Sequence, residues 1–267
     1  MTSTSHGRGP RFGSFNRIGC WALYRKEVRR FLKVAAQTVA GPVVTTLLFL
    51  AIFAVAFGRA RPPLGDIPFL VFLAPGLVMM AIFQNAFANT VSSLLIAKIN
   101  GTIGDLLMAP LAPGELVAAI ALGGATRGLL VGAIVGVAMA PAVGLQPAHP
   151  GYILFHAVAG AVMLALLGVI GGVLAQKFDH LGAMTSFVIT PLSFLSGTFY
   201  SVAQLPEALQ GVARLNPFFY MIDGFRYGFI GQADGSLAAG LAATTGLTCA
   251  LAGLAYALFA SGYRLRP

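Results

Sequence analysis

Arg127 stands in the middle of an apolar run, Leu116 to Ala140. A central arginine costs a membrane helix about 2.5–3.5 kcal/mol. The ten Leu, Ile and Val residues of the run return about 3–6 kcal/mol, so the run still inserts. The guanidinium then needs a polar partner. Asn85 and Asn89, one turn apart, offer such groups, and Gln84, Thr90, Ser92 and Ser93 surround them. Two readings of Gln84, Asn85 and Asn89 stand side by side: hydrogen bonds between helices, or a polar stripe lining a substrate path. Glu207, Arg214, Asp223 and Arg226 fall in one segment, Ser201–Gln232. They are costly in lipid unless paired or near the surface, and ion pairs among the four are expected. His149 and His156 have no carboxylate or cysteine at ligand spacing, so no metal site is expected. No G-x-x-x-x-G-K-[ST], H-E-x-x-H, Ser-His-Asp order or Cys cluster occurs in these residues. The chemistry on offer is positioning and passage, not bond making, and no cofactor is expected on this chain.

The elements that must hold these groups are membrane helices. The 267 residues are 57% hydrophobic and 9% charged, against about 45–50% and about 25% in soluble domains. The net charge of +9 does not indicate nucleic acid, because eight of the seventeen Lys and Arg lie in the first 36 residues. Residues 1–15 read as disordered. Residues 16–36 hold a basic amphipathic helix, with Ile18, Trp21, Val28 and Leu32 as its apolar face, suited to anionic lipid at the interface. Residues 37–267 read as a six-span domain, so the fold class is all-α integral membrane. The spans are Gln37–Phe57, Phe69–Ser92, Leu116–Ala140, Gly151–Gln176, Leu181–Tyr200 (bent at Pro191) and Ala238–Tyr263. In the third span Gly124, Gly128, Gly132 and Gly136 recur every four residues, which leaves one face nearly bare for another helix.

Two stretches are neither spans nor plain loops. In Ser93–Glu115, Ile96, Ile99, Ile103 and Leu106 fall on one face of a helix, with Lys98 and Asp105 off that face. Such a helix would lie along the membrane as a handle for a partner, or as an interfacial loop without one. The segment after Tyr200 reads as two short helices split at Asn216-Pro217, dipping into the outer leaflet. With both termini inside, the cytoplasmic side carries twelve Lys and Arg and the outside four, which selects that orientation.

LAPGLVMM at Leu73–Met80, DLLMAPL at Asp105–Leu111 and LNPFFYMIDGFRYGFIG at Leu215–Gly231 together resemble the ABC type-2 permeases, in particular the YadH-like inner-membrane permeases of bacteria. The resemblance implies the membrane subunit of an ATP-driven exporter in the bacterial inner membrane. It also implies a cytoplasmic coupling helix, carried here by Lys98, Ile99, Ile103, Asp105 and Leu106, and an external re-entrant hairpin. Two permease copies would work with two copies of a separate ATPase, which would hold ATP and Mg. Asp105 matches the family's acidic coupling residue, and Asn216, Pro217, Tyr220 and Arg226 match its end pattern. Gly104 stands where relatives often carry a second acid. The first, second and fifth spans would line the route. An ATP-independent secondary transporter or channel is the alternative. It would call for paired intramembrane acids or an inverted repeat, and neither is visible.

Overall fold

A computed structural model describes residues 15–57 and 67–265. The expected disordered stretch, apart from Phe15, and most of the Arg59–Pro68 loop lie outside those residues.

The described chain is helical. The helices are α1 (Arg17–Leu32), α2 (Ala35–Phe57), α3 (Phe69–Ile99), α4 (Ile103–Met108), α5 (Pro113–Val143), α6 (Pro150–Leu174), α7 (Phe178–Met184), α8 (Thr190–Leu195), α9 (Glu207–Leu215), α10 (Pro217–Ile230) and α11 (Leu237–Ser261). Five of them, α2, α3, α5, α6 and α11, are long and apolar enough to cross a membrane. The expected span at Leu181–Tyr200 is a helical run without interruption, residues 178–195, with a π-helical turn at Thr185–Ile189 between α7 and α8. Pro191 explains the π turn. It has no N–H for the carbonyl four residues back and its ring crowds that carbonyl, so the helix widens just before it. Ser193 then donates to the Ile189 carbonyl at 2.7 Å, which bends the helix further.

The core is α3 wrapped by α5 and α6. Residues across the whole length of α3 are buried, from Phe69 to Leu95. The glycine face of α5 explains how closely the backbones approach. A Cβ on Gly128 would sit 2.8 Å from the Ile82 carbonyl oxygen, and one on Gly124 would sit 2.9 Å from that of Ala86. Gly168 of α6 meets α3 from the other side, where a Cβ would lie 2.6 Å from the Phe87 carbonyl oxygen. Small residues permit backbone contact that apolar side chains alone could not drive in lipid. α2 and α11, by contrast, are mostly exposed along their lengths.

The helix foreseen in the Ser93–Glu115 stretch is two pieces. α3 runs on to Ile99, the chain turns at Asn100–Thr102, and only Ile103–Met108 forms α4. Gly101 makes the turn at φ +71°, a conformation that a side chain would strain. At 31 residues and about 1.5 Å rise each, α3 is about 46 Å long. It therefore separates two ends of the molecule. One carries α4 and the start of α5. The other carries the Gly197–Val202 segment, since Gly76 near the start of α3 packs directly on Thr198.

Candidate functional site

Two polar constellations and one surface element could serve function. The first lies where α1, α3 and α5 meet. Arg127 donates to Asn85 Oδ1 at 3.2 Å, so the guanidinium does have its polar partner on α3. Asn85 itself donates to the Ala81 carbonyl at 2.9 Å. One turn along, Asn89 is fully buried. Its carbonyl and its Oδ1 accept from Arg30 of α1 at 2.7 and 3.0 Å. Arg30 also donates to Ser92 and pairs with Glu27 at 3.2 Å, and Glu27 accepts from Ser93 at 2.8 Å. Asn85 and Asn89 are thus engaged between helices inside the chain. Gln84 points elsewhere, into a groove between α2 and α3 with Thr45, Thr46 and Met80.

Glu27 and Arg30 were not singled out in the sequence. The signal was present: Glu27 is the only acid before Asp66, set among basic residues and three positions from Arg30. The expected apolar face of α1 faces out, with Ile18, Trp21 and Leu32 exposed. The face packed on the protein is Leu23, Glu27 and Phe31.

The second constellation is at the far end of α3. Arg226 is buried. It donates to the Phe72 carbonyl at 3.2 Å and the Gly197 carbonyl at 2.6 Å, and lies 3.7 Å over the Phe72 ring. Asp223 accepts from the backbone N–H groups of Asp234 and Gly235, both at 2.9 Å. Asn216 caps α10 through the Phe218 N–H and donates to the Leu192 carbonyl at 2.7 Å, with Pro217 opening the helix. Tyr220 is half-buried, its ring 5.2 Å from that of Phe219. Glu207 is exposed in the first turn of α9, and Arg214 reaches Gln210 at 3.3 Å. The ion pairs expected among Glu207, Arg214, Asp223 and Arg226 do not form among the described residues. Backbone carbonyls and N–H groups take the two buried charges instead, because they lie closer and need no second long side chain to be held still.

The surface element is α4. Asp105 is exposed, Ile103 is buried, Leu106 is half-buried, and Ile99 at the end of α3 is half exposed. Lys98 does not extend outward. Its ammonium is spent on the last carbonyls of α6, at Val173 and Ala175, and Arg264 adds a bond to that of Leu174 at 3.3 Å. Glu115 anchors the other side of α4. One carboxylate oxygen accepts from the Ala112 N–H at the start of α5, at 2.7 Å. The other accepts from the Asn16 N–H at the start of α1. Asn16 in turn donates to the Pro110 carbonyl at 3.0 Å. A carboxylate between two helix N-termini satisfies donors that would otherwise be orphaned and sits where both dipoles favour it.

A family model described as ABC-2 type transporter matches residues 19–230. The chain belongs to the ABC-2 type transporter family. The match covers α4, the first constellation and, in the second, Asn216, Asp223 and Arg226. This ABC-2 permease is 38% identical over 213 residues to the inner membrane transport permease YadH of Escherichia coli strain K12, covering 80% of this chain and 83% of that protein. It is 29% identical over 216 residues to nodulation protein J of Rhizobium leguminosarum bv. trifolii, covering 80% and 81%. With nodulation protein J of Rhizobium meliloti strain 1021 it shares 26% over 206 residues. The chain is a multi-pass inner-membrane transport permease.

Proposed function

We propose that the chain is the translocation subunit of an ATP-driven exporter and that a separate ATPase engages it at α4. The observation that carries the reading is the mounting of α4. It is short and leaves Asp105 and Met108 exposed. It joins the two 31-residue helices, α3 and α5, which interlock along the glycine face. The Glu115–Asn16 bonds add α1 to the same body. A push on α4 is therefore passed to three helices at once. α2, α11 and the π-bulged α7–α8 path pack less tightly, so they are where the body would move against its neighbours. A second copy of the chain covers part of those exposed faces in this reading, with the α2–α3 groove at Gln84 as part of the route. Both termini and α4 lie in the cytoplasm, and the α9–α10 hairpin lies at the outer surface. These 267 residues hold no P-loop, so the ATP chemistry belongs to the partner.

The test is affinity purification from native membranes in mild detergent, followed by identification of co-purifying P-loop proteins and assay of ATP hydrolysis. The wild-type chain brings down an ATPase. Asp105→Ala weakens the association, and Asp105→Lys weakens it further by adding repulsion to the lost contact. Unchanged co-purification and activity in the Lys variant would remove α4 as the contact.

A further inference from the structure

Arg127 receives only part of what its charge requires. Among the described residues, Nη2 alone of its guanidinium nitrogens has a hydrogen-bond partner, the neutral amide oxygen of Asn85 at 3.2 Å. Its Nε is buried and bonds nothing. One turn along α3, Asn89 is fully buried; its Oδ1 accepts from Arg30, and its Nδ2 bonds nothing. Only one other buried side-chain polar atom among the described residues lacks a partner, Thr244 Oγ1 on α11. The Cβ atoms of residues one turn apart, such as Asn85 and Asn89, are about 5–6 Å from each other, so both orphaned donors belong to one junction. Its charges do not balance either. Glu27 is the carboxylate bonded there, and Arg30 holds it, which leaves the Arg127 guanidinium with no counter-charge among the described residues. Unpaired charge between membrane helices is expensive. Ordered water would answer the two donors and leave the charge. A compact anion answers all three, accepting from Nε and Nδ2 and neutralising the excess. Arg127 is only half-buried, so the junction keeps one side open to a solute.

We propose that Arg127 and Asn89 form a binding site for a small inorganic anion of the chloride class. The inference does not depend on the ATPase reading. Chloride is the probe. The full chain is held in neutral detergent at fixed pH and ionic strength while sodium gluconate is replaced stepwise by sodium chloride. The melting temperature of the wild type is expected to rise and saturate, by about 3–6 °C once chloride stands about ten-fold above its dissociation constant. Arg127→Gln removes the excess charge and should melt at one temperature throughout the series. Asn89→Asp keeps the test decisive whatever Arg127→Gln does to the fold. It is isosteric, keeps the oxygen that Arg30 uses, and builds a negative charge into the junction. It should raise the melting temperature in gluconate and abolish the rise with chloride. A junction complete in itself would instead be destabilised by a further buried carboxylate. Arg25→Gln removes an exposed cation of α1 and should respond like the wild type. A wild-type melting temperature independent of chloride would overturn the proposal, as would a chloride response that persists in Asn89→Asp. A rise on adding phosphatidylglycerol, with none on adding chloride, would overturn it in favour of a lipid phosphate.

Discussion

Glu27 illustrates how one carboxylate makes a basic helix compatible with a membrane core. Arg30 and Arg127 bond Asn89 and Asn85, one turn apart on α3, and Glu27 supplies the only ion pair among the described residues. Glu27→Gln should leave Arg30 with neutral partners only, the Asn89 oxygens and the Ser92 hydroxyl. A fully buried pair broken this way costs about 3–5 kcal/mol. Arg30 keeps a 28% exposed side chain, so a smaller loss, about 2 kcal/mol, is expected. Glu27→Gln combined with Arg30→Gln should recover most of it. Thermal melting in detergent checks both, and a wild-type melting point for the single variant would show that the pair is dispensable. Cys20 gives a second residue-scale handle. Burial, and behind it the Glu115 carboxylate, push its thiol above the ordinary range. Since the thiolate is the reactive form, maleimide should label Cys20 slowly at about pH 8 and faster as the pH rises. Glu115→Gln removes a nearby negative charge, which lowers the thiol pKa and should speed labelling at the same pH. No acceleration would mean that Glu115 does not act on the thiol.

At the scale of elements, backbone proximity decides which substitutions the fold accepts. Gly128→Ala places a methyl against the backbone of α3 at Ile82, an atom that cannot turn aside, and should cost about 1–3 kcal/mol. Gly136→Ala meets only a Val78 methyl, at 3.8 Å, and should melt like the wild type. Equal melting of the two variants would dissociate the glycine spacing from the packing. That spacing was legible because it is local: four glycines at one interval describe one face wherever the helix lies. The polar partner of Arg127 was legible for a related reason, since burial cost alone demanded one and α3 offered the amides. The α4 turn was not. Ile96, Ile99, Ile103 and Leu106 keep helical spacing on both sides of Gly101, and periodicity does not register one residue in a left-handed conformation. The π-helical turn before Pro191 escaped similarly, because proline announces a break and not the form it takes. The ion pairs expected in the α9–α10 segment failed because backbone carbonyls exposed by chain turns, such as that of Gly197, have no signature in residue types.

At the scale of the molecule, α3 sets the two ends apart, and orientation decides which end meets which compartment. The charge count argues for α4 inside, since twelve Lys and Arg then lie in the cytoplasm against four outside. The structure makes the question sharp, because Asp105 is exposed beside one end of α3 and Gln204 is exposed in the Gly197–Gln204 region at the other. About 46 Å of helix between the ends exceeds the roughly 30 Å hydrocarbon thickness, so the two sites cannot share a side unless α3 fails to cross. Cys20 and Cys249, the two native cysteines, are first replaced by Ser. Single cysteines are then introduced as Gln204→Cys or Asp105→Cys. An impermeant maleimide added to spheroplasts should label the first and spare the second until the membrane is opened. The reverse pattern would invert the molecule and place α4 where no ATPase could reach it. Labelling of both in sealed spheroplasts would mean that α3 does not cross, and the six-span topology would fall with it.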